Sequence, residues 1–134
     1  MEKNRIMLDT SAYSAFMKGH INIKYSLQKA YKIHVNSIII GELLYGFING
    51  KKERENRLIL QDFLSSPRVQ IIDIDEETSE RYAVIKNYLT MEGTPLPVND
   101  IWISASAMQY GLKVLTTDKH YLKIPQIVVE YYEI

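Results

Sequence analysis

The sequence predicts an α/β protein built on a parallel sheet with helices on both faces. Two observations carry this. Short apolar runs alternate with helix-period segments along the chain. Those runs are continuous rather than polar-alternating, as strands buried on both faces are. The 134 residues fit one domain spanning positions 1–134, since ~100–200 residues per domain is usual.

Arg5 to Leu8 is apolar up to Asp9 and reads as the first strand. Thr10 to Met17 reads as a short helix ending near Gly19, and Lys24 to Tyr31 as a second helix. Ile33 to Asn36 is the second strand, with Ser37 as N-cap of a helix carrying Ile39, Leu43, Leu44, Phe47 and Ile48 up to Gly50. Lys51 to Leu64 is amphipathic, with Leu60, Phe63 and Leu64 inward, and Pro67 closes it. Val69 to Ile74 is the third strand. Asp75 caps a long helix with the stripe Tyr82, Ile85 and Leu89, stopped by Gly93. After the stiff loop Thr94-Pro95-Leu96-Pro97, Asn99 or Asp100 caps a helix that ends at Gly111. Val114 and Leu115 form the fourth strand, and Val128 to Tyr131 the fifth.

Composition narrows the function. There is no cysteine, which excludes disulfides, a thiolate nucleophile and cysteine-ligated zinc or iron–sulfur sites. It fits a reducing cytoplasm. No apolar run is long enough for a membrane span, and the start of the chain stays apolar for only three residues before Asp9, unlike a signal peptide. Lys plus Arg and Asp plus Glu are 16 each, so a simple basic nucleic-acid binder is not indicated. The charges are sorted, however. Positions 10–41 hold Lys18, Lys24, Lys29 and Lys32 and no acid, whereas positions 73–80 hold Asp73, Asp75, Glu76, Glu77 and Glu80 and no base. The lysine run reads either as a track for an RNA backbone or as a solvated helix face.

Four acids stand out. Asp9 ends the first strand, Asp118 lies just past the fourth, and Asp100 opens the helix that leads into that strand. Ligands of parallel sheets sit outside the carboxyl ends of the strands, where these acids fall. Glu42 sits in IIIGELLYG, a stretch so apolar that its helix is expected to be largely buried, where a carboxylate must be paired, protonated or bound to a metal. Singly, Asp9, Asp100 and Asp118 are better explained as helix or turn caps. Only a carboxylate cluster accounts for all four. Oxygen donors without cysteine or clustered histidine suit Mg²⁺ or Mn²⁺. With these four of the 16 acids neutralised by two divalent ions, 12 acids face 16 bases, a balance that suits a polyanion. The chemistry this implies is phosphodiester hydrolysis, with metals activating water and stabilising the leaving oxygen.

The segments MLDTSAY, NSIIIGELLYG, TPLPVNDIWISASAMQYGLKVLTTDKHY and IPQIVVEYY resemble, in order and over nearly the whole chain, the PIN-domain ribonucleases, specifically the VapC-type toxins of toxin–antitoxin pairs. The resemblance implies a Rossmann-like sheet, Mg²⁺- or Mn²⁺-dependent cleavage of RNA to 5′-phosphate and 3′-hydroxyl ends, a homodimer, and inhibition by a small antitoxin protein. It places Asp9, Glu42, Asp100 and Asp118 as metal-holding catalytic residues, with Glu42 ligating the metal or orienting and deprotonating its water. Thr10, Ser11 and Ser37 match polar positions of the family. His120, where many relatives carry an acid before Tyr121, and Ile39, where a threonine is common, depart from it. His120 is left as a phosphate contact or a support to the metal ligands. Trp102 and Met108 read as packing residues, His20 and His34 as incidental. The apolar helix around Glu42 and the stripe from Leu58 to Leu64 read as core, or as a dimer or antitoxin surface. Rival readings are a phosphotransfer enzyme with a strand-end aspartate nucleophile, a non-catalytic RNA-binding module, and an RNA-processing nuclease outside any toxin pair. A haloacid-dehalogenase-type phosphatase is disfavoured because Ser11 stands where its second aspartate belongs.

Overall fold

The computed structural model describes residues 3–134. In chain order the elements are β1 (Arg5–Leu8), α1 (Thr10–Met17), α2 (Ile21–Lys29), β2 (Lys32–Asn36), α3 (Ser37–Ile48), α4 (Glu53–Leu64), β3 (Val69–Ile72), α5 (Glu76–Met91), α6 (Val98–Tyr110), β4 (Lys113–Thr116), a 3₁₀ turn (Lys119–Lys123) and β5 (Val128–Tyr131). The five strands pair in parallel in the order β3-β2-β1-β4-β5. Met7 lies opposite His34 on one side and Val114 on the other, so β1 is the centre of the sheet.

Ile6, Met7 and Leu8 are all fully buried. Consecutive buried residues of one strand point to opposite faces, so both faces of the sheet are covered. The main core joins β1, β2 and β4 to α1, α2 and α4, and receives Ile103 and Ala107 from α6. A second cluster, Ile85, Leu89, Leu96, Ile101, Ala105 and Ile124, joins α5 to the other side of α6. Trp102 stacks on Tyr82 at 4.2 Å between ring centroids, and Met108 packs into the same cluster. Both are packing residues, as the sequence suggests.

Several boundaries differ from expectation, each for a local reason. Helix α2 starts at Ile21 because His20 caps it, with Nδ1 accepting from the Ile23 amide at 3.3 Å. It ends at Lys29, which leaves Tyr31 outside. Helix α4 starts at Glu53 and β3 stops at Ile72. The N-cap of α3 is Asn36, not Ser37: Asn36 Oδ1 accepts from the Ile39 amide at 3.0 Å. The same side chain donates through Nδ2 to Ser106 Oγ at 2.9 Å, wholly buried. Asn36→Ala removes a cap and strands a buried hydroxyl, an expected loss of about 2 kcal/mol. Urea denaturation should show a lower midpoint at unchanged slope.

Most consequential is the start of α6. Pro97 occupies the N-cap position and no side chain caps the helix. Asn99 and Asp100 therefore lie within its first turn rather than capping it, and their side chains are free for other partners.

Candidate metal centre

The carboxyl ends of β1 and β4 build one half of the site. Asp9 follows β1, and its backbone amide donates to Leu115 O at 3.3 Å. Its side chain does cap α1: Oδ1 accepts from the Ala12 amide at 2.9 Å. It also accepts from Ser11 Oγ at 2.9 Å, and from Thr116 Oγ1 at 2.9 Å through Oδ2. Cap and site are thus one residue. Thr116 Oγ1 in turn accepts from the Asp118 amide at 2.9 Å, which ties the two strand-end acids together through one buried hydroxyl.

The second half comes from α6 and the 3₁₀ turn. Asp118 caps that turn by accepting from the His120 amide at 2.9 Å. His120 Nδ1 lies 3.0 Å from Asp100 Oδ2 and 3.2 Å from Asp118 Oδ1. The Tyr121 hydroxyl donates to Asp100 Oδ1 at 3.4 Å. Asp100, Asp118 and His120 present ligand atoms within 4.8 Å of one another, and among the described residues they are the only three such groups so gathered. Asp9 and Glu42 stand outside that set.

Glu42 is placed by longer-range contacts. Thr10 Oγ1 donates to its Oε1 at 2.6 Å, and Asn99 Nδ2 donates to its Oε2 at 3.2 Å. Helix α3 is not the largely buried helix its composition suggests. Only Ile39 and Leu43 are buried, and Glu42 is half-buried. One side of α3 packs inward while Tyr45 and Ile48 face outward. Leu58 and Ile59 of α4 are likewise exposed rather than core. The charge of Glu42 is met by hydroxyl and amide donors at the head of a groove, not by an apolar interior.

The charges of all four acids are felt at Tyr121, although only Asp100 touches its hydroxyl. The Tyr121 phenol is held well above its usual pKa by burial first, and then by the charges of Asp9, Asp100, Glu42 and Asp118. Asp9 is itself pushed up to about 6, chiefly by burial, against the opposing hydrogen bonds of Ala12, Ser11 and Thr116. Asp100 is raised by burial, then by Asp118, with Glu42 adding and His120 opposing. Both shifts come first from burial, so these are carboxyls whose ionised form the protein's own donors do not fully stabilise. A set of carboxylate oxygens with one imidazole suits a hard divalent cation, and Mg²⁺ or Mn²⁺ fits these donors.

The sequence does not disclose Thr116 and Asn99 as parts of this site. The only local signal was a polar threonine closing an apolar strand, and Asn99 read as a cap. Tyr121 appeared only as a landmark. Of the lysine run, Lys32 opens β2 at the amino edge of the sheet, away from the acids, with Nζ donating to Pro67 O at 2.8 Å. His34 is buried with Nδ1 3.1 Å from Ile6 O, a structural role.

Acids at the carboxyl ends of the inner strands of a doubly covered parallel sheet define an α/β protein with an edge site. The chain belongs to the PIN domain family, whose profile matches residues 6–127. It is 29% identical over 132 residues to Ribonuclease VapC2 of Rickettsia felis, covering 95% of this chain and 97% of that protein. It is 29% identical over 99 residues to Ribonuclease VapC4 of Mycobacterium tuberculosis, covering 74% and 76%. The crystal structure of VapBC2 from Rickettsia felis bound to a DNA fragment from their promoter superposes with a TM-score of 0.85 at 27% identity, covering 96% of this chain and 99% of that one. Among the described residues, no helix is long and apolar enough to cross a membrane.

Proposed function

We propose that this chain is a Mg²⁺- or Mn²⁺-dependent endoribonuclease, a single nuclease domain that acts in the cytoplasm as the toxin of a toxin–antitoxin pair. In this reading it works as a homodimer and is restrained by a small antitoxin protein. The observation that carries the reading is the gathering of Asp100, Asp118 and His120 ligand atoms within 4.8 Å of one another, with Asp9 tied to Asp118 through the Thr116 hydroxyl. The ribonuclease names of the relatives and the likeness to a VapBC pair supply the substrate class and the partner.

Asp9, Asp100 and Asp118 would hold the cation, Asp9 fixed by Ser11 and Thr116, Asp100 by Tyr121. When bound, the cation supplies Lewis acidity toward water and the leaving oxygen of the phosphodiester. Glu42, fixed at both oxygens by Thr10 and Asn99, contributes a further ligand atom or accepts a proton from the attacking water. His120 Nδ1 lies between Asp100 and Asp118 and bridges the two carboxylates. The water oxygen bonds to phosphorus and the bond to the 3′-oxygen breaks, which leaves 5′-phosphate and 3′-hydroxyl ends.

The direct test is incubation of single-stranded RNA with the protein and Mg²⁺ or Mn²⁺, against a chelator control. Cleavage with metal and none with chelator is expected. Equal RNA binding under both conditions without cleavage would leave only a binding module. A finer expectation concerns Thr10→Val, which removes the 2.6 Å hydrogen bond to Glu42 at constant volume. It should lower kcat about tenfold, the worth of one hydrogen bond to a charged group, with little change in KM. Steady-state kinetics on a fluorogenic oligonucleotide would read both constants.

A further inference from the structure

One exposed stripe of α3 continues from the site and takes no part in the fold. Thr10, Ser37, Ile38, Gly41, Glu42, Tyr45 and Asn99 line a groove, at whose head Glu42 meets Thr10 and Asn99. Residues 37, 41 and 45 repeat at four-residue spacing and so lie on one line along the helix. Tyr45 is 71% exposed, three residues beyond Glu42. An aromatic ring there gains nothing from the core.

Gly41 is the second observation. A glycine inside a helix is less favourable than alanine. Glycine suits a close approach or a positive φ where the fold requires one. Neither applies here: a Cβ at Gly41 would meet nothing within 4 Å, and its φ is not positive. The same is true of Gly46 on this helix; what sets Gly41 apart is that it lines the groove. It leaves an open floor between Ser37 and Tyr45, beside a carboxylate of the site.

We propose that this stripe is a nucleobase subsite: the Tyr45 ring stacks on a base next to the scissile phosphate, and the base edge seats over Gly41 toward the Ser37 hydroxyl. The occupant is a base of single-stranded RNA because the groove is continuous with the carboxylates. It pairs a flat aromatic surface with a hydroxyl, as base recognition requires. The subsite rests on the ribonuclease reading above for its substrate.

The test compares the wild type with Tyr45→Phe, Tyr45→Leu and Gly41→Ala. Two readouts are used: Kd for a labelled single-stranded RNA in chelator, by fluorescence anisotropy, and KM and kcat with Mg²⁺. Stacking predicts that Tyr45→Phe stays within about twofold of wild type, while Tyr45→Leu weakens Kd and KM about tenfold and spares kcat. Gly41→Ala should raise the melting temperature yet weaken RNA binding to a similar degree. Substrates carrying one abasic nucleotide, moved position by position, should include one on which Tyr45→Leu costs nothing further. The subsite is overturned if Tyr45→Leu binds and cleaves like wild type, if its loss is the same on every abasic substrate, or if its sole effect is a changed oligomeric state in sedimentation velocity. RNA binding that depends on Tyr45 in a wild type that never cuts would keep the subsite and refute the nuclease. Cleavage that ignores Tyr45 would do the reverse.

Discussion

Asp100→Asn is expected to lower kcat/KM for RNA by about 10²- to 10³-fold, the range for losing one preorganised electrostatic partner of the reacting centre, while the metal-free protein melts no lower than wild type. Asparagine keeps the size of Asp100 and an oxygen to accept from the Tyr121 hydroxyl. What it removes is charge, in a place where burial and Asp118 already hold the carboxyl above its usual pKa. A group in that state burdens the fold and serves the ligand, so neutralising it trades activity for stability. Reading both quantities separates the site from its alternative. A loss of activity with an equal loss of stability would mean that Asp100 merely supports the start of α6. Cleavage by Asp100→Asn at half the wild-type rate would remove the carboxylate centre altogether. The same reasoning applies to Asp118→Asn with a smaller effect, since Asp118 is more exposed than Asp100.

The sheet and the strand-end acids were legible because their signals are local. β1 stops at a charge, α5 begins at the Asp75–Thr78 capping box, and α6 ends at Gly111, whose φ of 66° favours glycine. Each is settled within a few residues. The supports of the site are not. Thr116 meets Asp9 across 107 positions, and Glu42 meets Asn99 across 57. No window of sequence contains either pair. The start of α6 was misplaced for a related reason. Asn99 and Asp100 are both good capping types, and only the fold reveals that Asn99 is drawn to Glu42 instead. Helix α3 misled through composition alone. Its isoleucines and leucines encircle the helix, but the sheet offers packing on one side only, so Tyr45 and Ile48 face out. Apolar content reports what a helix can bury, not whether a partner within the chain is there to bury it.

The charge held at the site also sets how stability depends on pH and on metal. In the folded protein Asp9 is pushed up to about 6 from 3.8, with burial the largest cause. Between those values the folded chain binds more protons than the unfolded one, so stability falls as pH rises through this window. Above about pH 6 the ionised Asp9 costs on the order of 3 kcal/mol relative to its protonated form, and Asp100 is shifted in the same direction. Glu130 runs the opposite way: Lys113, Ser26 and Tyr132 hold it down against burial, so its contribution is lost only at lower pH. In chelator, Asp9 therefore favours a higher melting temperature at pH 5 than at pH 8, against the buried His34, whose lowered pKa works the other way in this window, so the Asp9 share is read as the difference between wild type and Asp9→Asn. A divalent cation needs the ionised carboxylates, so Mg²⁺ or Mn²⁺ should reverse that order and stabilise chiefly at pH 8. At 100 times Kd the gain is about 2.7 kcal/mol, or several degrees. Asp9→Asn should flatten the acid-side rise and blunt the metal response together, because one carboxyl produces both. Scanning calorimetry at the two pH values, with chelator and with metal, reads all of this in four traces per protein. A difference in melting temperature between pH 5 and pH 8 that is the same in wild type and Asp9→Asn, in a wild type indifferent to millimolar Mn²⁺, would mean that the acids at this edge carry no uncancelled charge for a cation to meet.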